Sequence, residues 1–297
     1  MKSIFTLIFS ILVLFTAKAE DSETIFSQEK KALIDLFEST NGANWSNTWD
    51  FTSPIEQWNG VEVVDKHVVS INLFNNNLNG TIPESIGDLK YLTHLNLAFN
   101  SITGVLPKDI VELKNLKVLK LEMNRIKGAI PSGIGSLNDL EELSLFNNFL
   151  SGPIPEGLGN IKGLKILNLS SNNLKGTIPI SIGNLSKLEI LGLFENSLEG
   201  AIPQEMGKLT KLKELVLANN QLGGDIPTEF GQLASLKILQ IQNNRFKSFK
   251  GLQSIDTRQF LVFDTDDKSL QPYKEFDLER VRTRMADTKF EDDDNNE

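Results

Sequence analysis

The chain has no cysteine, which excludes disulfides, thiolate metal sites, a cysteine nucleophile and a lipid anchor on an N-terminal cysteine. Histidine is nearly missing as well: His67 and His94 are the whole supply in 297 residues. No G-x-S-x-G, H-E-x-x-H or phosphate-cradling glycine loop occurs. Basic residues are in deficit, 30 Lys and Arg against 39 Asp and Glu, for a formal charge of −9. Phosphate recognition needs clustered Lys and Arg, so nucleic acid is excluded as the main partner. Long apolar runs are absent too. The longest, Ile4–Phe15, is too short to cross about 30 Å of hydrocarbon, so no membrane insertion is expected.

What the chain has is a frame that it repeats. Leu164-Lys-Ile-Leu167-Asn-Leu169-Ser-Ser-Asn172-Asn-Leu174 begins again at Leu188, 24 residues on. The same frame opens at Val68, Leu92, Leu116, Leu140, Leu164, Leu188, Leu212 and Leu236. Alternation around Leu167 and Leu169 predicts a short strand there. One such strand cannot bury its leucines alone. Stacked copies make a parallel sheet at about 4.8 Å per repeat, with a continuous core behind it. The frame also carries an asparagine column, Asn76, Asn100, Asn124, Asn148, Asn172, Asn196, Asn220 and Asn244. There the chain turns inward and buries backbone polar groups. A buried amide can satisfy the turn and the next coil. Each Gly from Gly80 to Gly224 in the frame is followed within three residues by Pro. Glycine allows a φ > 0 bend and proline stops a helix, so the outer side of each coil is expected to be extended or 3₁₀-like.

The period and the run L-x-G-x-I-P-x-x-I-G-x-L resemble the plant-type subclass of leucine-rich repeats. Gly80-Thr-Ile-Pro83-Glu-Ser-Ile86-Gly87-Asp-Leu89 fits closely, and residues about 68–235 match. The resemblance implies an α/β solenoid: a right-handed superhelix of about eight repeats with a parallel, concave β-sheet and an N-terminal helical cap. It also implies receptor-like binding, or inhibition of a secreted wall-degrading enzyme. Trp58-Asn-Gly60-Val61-Glu-Val63 resembles the W-x-G-V-x-C that precedes the first repeat in that subclass. Val63 stands in place of the Cys, so the cap must hold by packing alone, a departure compatible with a bacterial source.

In chain order, residues 1–19 read as a signal peptide, with Lys2, the short apolar run and Ala17-Lys18-Ala19 as the cleavage site. Residues 20–66 form the N-terminal cap: a helix over Lys31–Ser39 stopped at Asn41-Gly42, then Trp45, Trp49 and Trp58 as an aromatic wedge over the open core rather than a carbohydrate platform. Residues 67–250 are repeats. Residues 251–297 are a C-terminal cap, in which Leu252, Ile255, Phe260, Leu261 and Phe263, with Phe249 just before them, cover the last leucines, followed by an acidic tail that lacks the apolar content to fold. A short helix is expected over Phe276–Met285. Asp264-Thr-Asp266-Asp267 fails as a calcium loop, since Lys268 and Ser269 fall where a ligand oxygen and Gly are needed. Asn44, Asn79, Asn168 and Asn184 sit in N-x-S/T sequons.

No triad forms around either histidine, and an acid/base pair of carboxylates needs a shared cleft. Glu122, Glu142 and Glu195 lie on the outward sheet face, which is expected to stay wet and leave carboxyl pKa values unraised. The chain therefore reads as a binding scaffold, not an enzyme, with no cofactor and no metal. Lys117, Glu141, Lys165, Glu189 and Lys213 hold one outward column in alternating sign, expected as a weak surface ladder. Phe74, Phe146 and Phe194 take the outward position after the third apolar strand residue; Phe99 and Met123 follow one position later in their repeats. Phe74, Phe99, Met123 and Phe146 span four neighbouring repeats, and contiguous apolar patches mark interfaces. Asn72, Asn75, Asn96 and Asn147 are expected to supply hydrogen bonds around them. The face offers Phe and Met but no Trp or Tyr, which favours a protein or peptide partner over a polysaccharide. The alternatives are a cell-surface or envelope protein that binds glycan and the enzyme inhibitor. Export removes Lys2 and Lys18 and takes the formal charge from −9 to −11. N-terminal sequencing of the exported protein should begin at Glu20; a chain still starting at Met1 refutes the cleavage.

Overall fold

A computed structural model describes residues 27–267 apart from Ser254 and Asp256. The expected cleavage site, the Phe276–Met285 helix and the acidic tail lie outside the described residues. The chain is a solenoid built on one ten-stranded sheet. Val61–Val64 runs antiparallel to His67–Asn72, and from there to Val262–Asp264 every neighbouring pair is parallel. The register advances by one frame at each step, as in Leu143↔Leu167↔Leu191. Leucines on one side of the strands join a single core that runs from Ala32 in the N-terminal helix to Phe263.

The two termini of the core are closed in different ways. Residues 27–39 form a helix that buries Ala32, Leu33 and Leu36, and Asn41 ends it in the left-handed region at φ 59°. Trp45, Trp49 and Trp58 are buried against the first coil. Trp49 stacks on Trp58 at 4.9 Å and meets Trp45 edge-on at 4.9 Å. Each indole N–H finds a carbonyl, on Thr40, Asn59 and Ser53 respectively, so burial strands no donor. Val63 packs partly buried on the same core. Glu29 is fully buried yet fully used: it accepts from Val68 N–H at 2.7 Å and meets His67 Nδ1 at 2.9 Å. At the other end Leu252, Phe260 and Phe263 are buried, with Phe249 and Ile255 packed against them. Leu261 does not join them. It is 53% exposed, because it falls in the outward column of the lysine ladder.

Each coil bends through short strands, then a 3₁₀ turn. Seven such turns run from Glu84–Asp88 to Thr228–Gln232, each preceded by a proline in extended conformation. Minor strands between turn and proline add a two-stranded and a six-stranded sheet that the leucine spacing did not signal. The glycine that follows the apolar residue of the 3₁₀ turn answers to a close approach at Gly87, Gly135, Gly159, Gly183 and Gly207. A Cβ on Gly183 would lie 2.5 Å from the Glu205 carbonyl oxygen in the next turn.

The asparagine column is satisfied from one direction, and it is not the expected one. Asn148 Oδ1 accepts from Ile126 N–H at 2.9 Å, and its Nδ2 donates to Leu121 O at 3.0 Å, both in the preceding coil. Nδ2 also donates to Leu145 O within its own turn. Asn172, Asn196, Asn220 and Asn244 repeat this pattern. The amide therefore reaches back rather than forward. The inward amide thus meets an N–H that the earlier turn leaves unpaired and a carbonyl that it shares with that turn's own asparagine, as Leu121 O accepts from Asn124 at 3.1 Å. At the first coil Asn76 reaches back into the cap, accepting from Asn47 N–H at 2.7 Å. Past the last coil Asp266 stands in: its carboxylate accepts from Asn243 N–H at 2.9 Å and Asn244 N–H at 3.3 Å. Elsewhere those donors meet backbone carbonyls of the following repeat.

Replacing Asn148 with Ala should leave the Ile126 N–H unpaired and take one of two donors from each of Leu121 O and Leu145 O, which keep Asn124 and Asn172. At about 1–3 kcal/mol for the one stranded donor, the loss should be on the order of 2 kcal/mol. Thermal unfolding should show Tm lower by roughly 4–8 °C. An unchanged Tm would mean that the amide is dispensable.

Candidate binding face

The open side of the ten-stranded sheet carries its side chains in rows, one row per outward position. The first row runs Ser70, His94, Val118, Glu142, Ile166, Ile190, Glu214, Ile238 and Val262. The second runs Asn72, Asn96, Lys120, Ser144, Asn168, Gly192, Val216, Gln240 and Asp264. Beyond the strand ends the backbone ladder continues, through Phe99 N–H to Glu122 O and Met123 N–H to Phe146 O, both at 2.9 Å. It sets a third row of Phe74, Ala98, Glu122, Phe146, Ser170 and Phe194.

The structure places the five candidate apolar residues unequally. Phe74 and Phe99 are 51% and 44% exposed and lie together, ring centroids 5.1 Å apart. Met123 and Phe146 are half-buried beside them, with Asn147 Nδ2 2.8 Å from the Met123 sulfur. Phe194 is drawn elsewhere. It packs with Ile190, Val216, Ile238 and Val262 in a second apolar cluster, separate from the core and on the later half of the face. The residue spacing could not show this, since the cluster arises between rows. Asn72 and Asn96 spend their Oδ1 on the N–H groups of Phe74 and Ala98, so what they offer outward is a donor. Asn75 and Asn147 serve the chain reversal, at φ 48° and 51°.

That reversal exposes a conflict at two positions. One residue per repeat adopts the left-handed region: Asn75, Phe99, Met123, Asn147, Ser171, Glu195, Asn219 and Asn243, at φ 48–58°. Asn suits this conformation because its short amide bonds locally, and bulky side chains do not. Half of the column is Asn. Phe99 and Met123 hold φ 57° and 56° against that preference. They take a strained backbone and, at Phe99, also a wet aromatic surface. Neither stabilises the coil, so the two positions are candidates for function.

The electrostatics need one correction. The face was expected to be wet throughout, but Glu122 is half-buried and its burial pushes the carboxyl pKa up from 4.5. Its own N–H, Ser144 and Lys120 pull the other way without cancelling the desolvation. Oε2 is buried with no hydrogen-bond partner. Its neighbours are half-buried Met123, next in the chain, and half-buried Phe146, next in the third row, a surrounding that a frame of alternating side chains does not reveal. Lys120 is committed to Glu142, at 2.9 Å. The surface ladder forms only in part. Lys165 bonds Glu141 at 2.6 Å and Lys213 bonds Glu189 at 2.7 Å, holding both carboxyls below their usual range, while Lys117 reaches Glu141 only through its field. His94 stands between Ser70 and Val118, and no acid–base pair forms around it. No cluster of metal-ligating side chains occurs among the described residues. Of the sequons, Asn168 is buried and could not carry a glycan, whereas Asn44, Asn79 and Asn184 are exposed.

Comparison with known proteins agrees with this geometry. A model of the leucine-rich repeat region matches residues 71–175, and a two-copy leucine-rich-repeat model matches residues 210–254. No curated protein matches. Among solved structures, the PEPR1–AtPEP1 complex is similar at TM-score 0.68 and 32% identity, over 73% of this chain and 32% of that one. The ectodomain of the Arabidopsis receptor kinase HAESA, solved with the peptide hormone ligand IDA, is similar at 0.55 and 31%, over 75% and 42%. A leucine-rich-repeat protein of Leptospira interrogans is similar at 0.55 and 37%, over 65% and 47%. The chain spans about a third of the length of the first receptor chains that it matches.

Glu122→Gln tests the burial. A carboxyl whose folded pKa is raised binds its proton more tightly when folded, so its charged form lowers stability above that pKa. The variant should melt above the parent at pH 7. The gap should close as pH falls through the folded pKa and vanish below about 4.5. A gap that is constant with pH would place Glu122 in water.

Proposed function

We propose that this chain, whose fold is a leucine-rich-repeat solenoid, is a secreted binding protein that takes a protein or peptide partner on the open face of its ten-stranded sheet. The observation that carries the reading is the pair Phe99 and Met123, bulky apolar side chains held in a left-handed column that otherwise favours Asn. With Phe74 and Phe146 they form an apolar patch across four repeats, and Asn72 and Asn96 border it with free-facing amide donors. Each such side chain covered by a partner could contribute roughly 1.5–3 kcal/mol. Phe194 belongs to a second contact area on the later repeats.

Several of the similar structures are receptors solved with peptide hormones, which supports a peptide-sized ligand. Export rests on the residues before Glu20. The tryptophans are buried in the cap and leave the face without an indole ring, which weighs against polysaccharide. We read the chain as a scaffold without catalytic chemistry of its own.

The test is affinity capture by the mature chain from its host's secreted and envelope fractions, with a glycan array in parallel. The variant Phe74→Ser, Phe99→Asn, Phe146→Ser should stay within a few degrees of the parent Tm, since Asn at 99 relieves backbone strain of about 1 kcal/mol. It should lose the captured protein. Retained capture, or selective glycan binding that survives the substitutions, refutes the patch as the site.

A further inference from the structure

We propose that the ligand of this face presents a lysine or arginine beside apolar residues, and that Glu122 receives the cation. The proposal rests on the reading of the face as a protein- or peptide-binding surface and adds the chemistry of what binds.

Three observations meet at Glu122. Its Oε2 is buried without a hydrogen-bond partner, which is a standing penalty in the free protein. It sits in the third row between Ala98 and Phe146, with Met123 next in the chain and Phe99 bonded to its carbonyl, so the patch surrounds it. The basic group nearest in influence is already taken: Lys120 pairs with Glu142 at 2.9 Å, and Ser144 can supply only a neutral donor. A partner that covered the patch with apolar groups alone would finish desolvating a carboxylate and leave it unpaired, which disfavours binding. An acidic partner would add like-charge repulsion. A cation placed among apolar side chains removes the defect and covers the phenylalanines in one step. The overall charge of −9 steers such a ligand in the same sense.

The experiment begins with a random heptapeptide phage library selected on the immobilised protein, then on Glu122→Gln. The parent should enrich sequences with Lys or Arg adjacent to an aromatic or aliphatic residue; the variant should keep the apolar preference and lose the basic one. The best peptide is then synthesised with its cation intact and with citrulline or norleucine in its place, and a double-mutant cycle is measured. On the parent, removing the cation should weaken binding at least about tenfold. On Glu122→Gln it should change binding less than about twofold. If the variant folds poorly, the parent alone decides: binding of the cationic peptide should weaken as pH falls through the Glu122 pKa, while binding of the citrulline peptide stays level. Lys120 and Glu142, which also face this carboxyl, are paired with each other and contribute to both peptides alike. Enrichment of apolar or acidic peptides without a basic residue, or equal loss on both proteins, overturns the cation while leaving the patch in place. No enrichment over bare support overturns both.

Discussion

Backbone satisfaction at the inward turn is the constraint on which this molecule depends. A solenoid must fold its chain into its own core once per repeat, and each pass carries N–H and C=O groups into a dry interior. One asparagine per coil settles that demand by taking the N–H and carbonyl of the turn before it and the carbonyls of its own. Only after this can the leucines contribute, because a strand whose turn is unpaired would not sit flat enough to bury them. The cap and the last strand are then the two exceptions that a finite stack must solve. Asn47 supplies the missing partner at one end and the Asp266 carboxylate at the other.

Much of this was legible in the residues. Strand position, the core side, the turns and the 3₁₀ outer segments follow from a 24-residue frame whose every position has a physical duty. What could not be read is what depends on neighbours one frame away at different depth. Leu261 looked like core by hydrophobicity, but register puts it among the lysines. Glu122 looked wet by alternation, but it is half-buried and its burial raises the carboxyl pKa. Asp266 lies in a run that fails as a calcium loop, and its partners, the N–H groups of Asn243 and Asn244, lie a repeat away. Glu29 precedes the frame entirely, so nothing in the sequence pointed to its bond with Val68. Phe194 was rightly placed outward, yet its company on the face came from Val216 and Ile238, rows that spacing alone cannot join.

The face shows how such a scaffold is specialised. Its duties to the fold end at the leucines, so outward positions are free except in the left-handed column, where the backbone still prefers Asn. Phe99 and Met123 override that preference in adjacent repeats, and the carboxylate between Ala98 and Phe146 is left short of a partner in the same region. Strain and an unpaired charge coincide within three coils, while the later coils pack their apolar face residues on one another.

The backward reach of the asparagines bears on how the chain can be made. Because each amide completes the turn before it, a coil emerging from the ribosome or a secretion channel is finished only when the next one arrives. A growing stack therefore always has one open turn, at its newest end, and everything behind it is already sealed. Synthesis and translocation proceed in the direction that keeps the exposed surface constant, however many coils are added. Only when Asp266 emerges does the open end close.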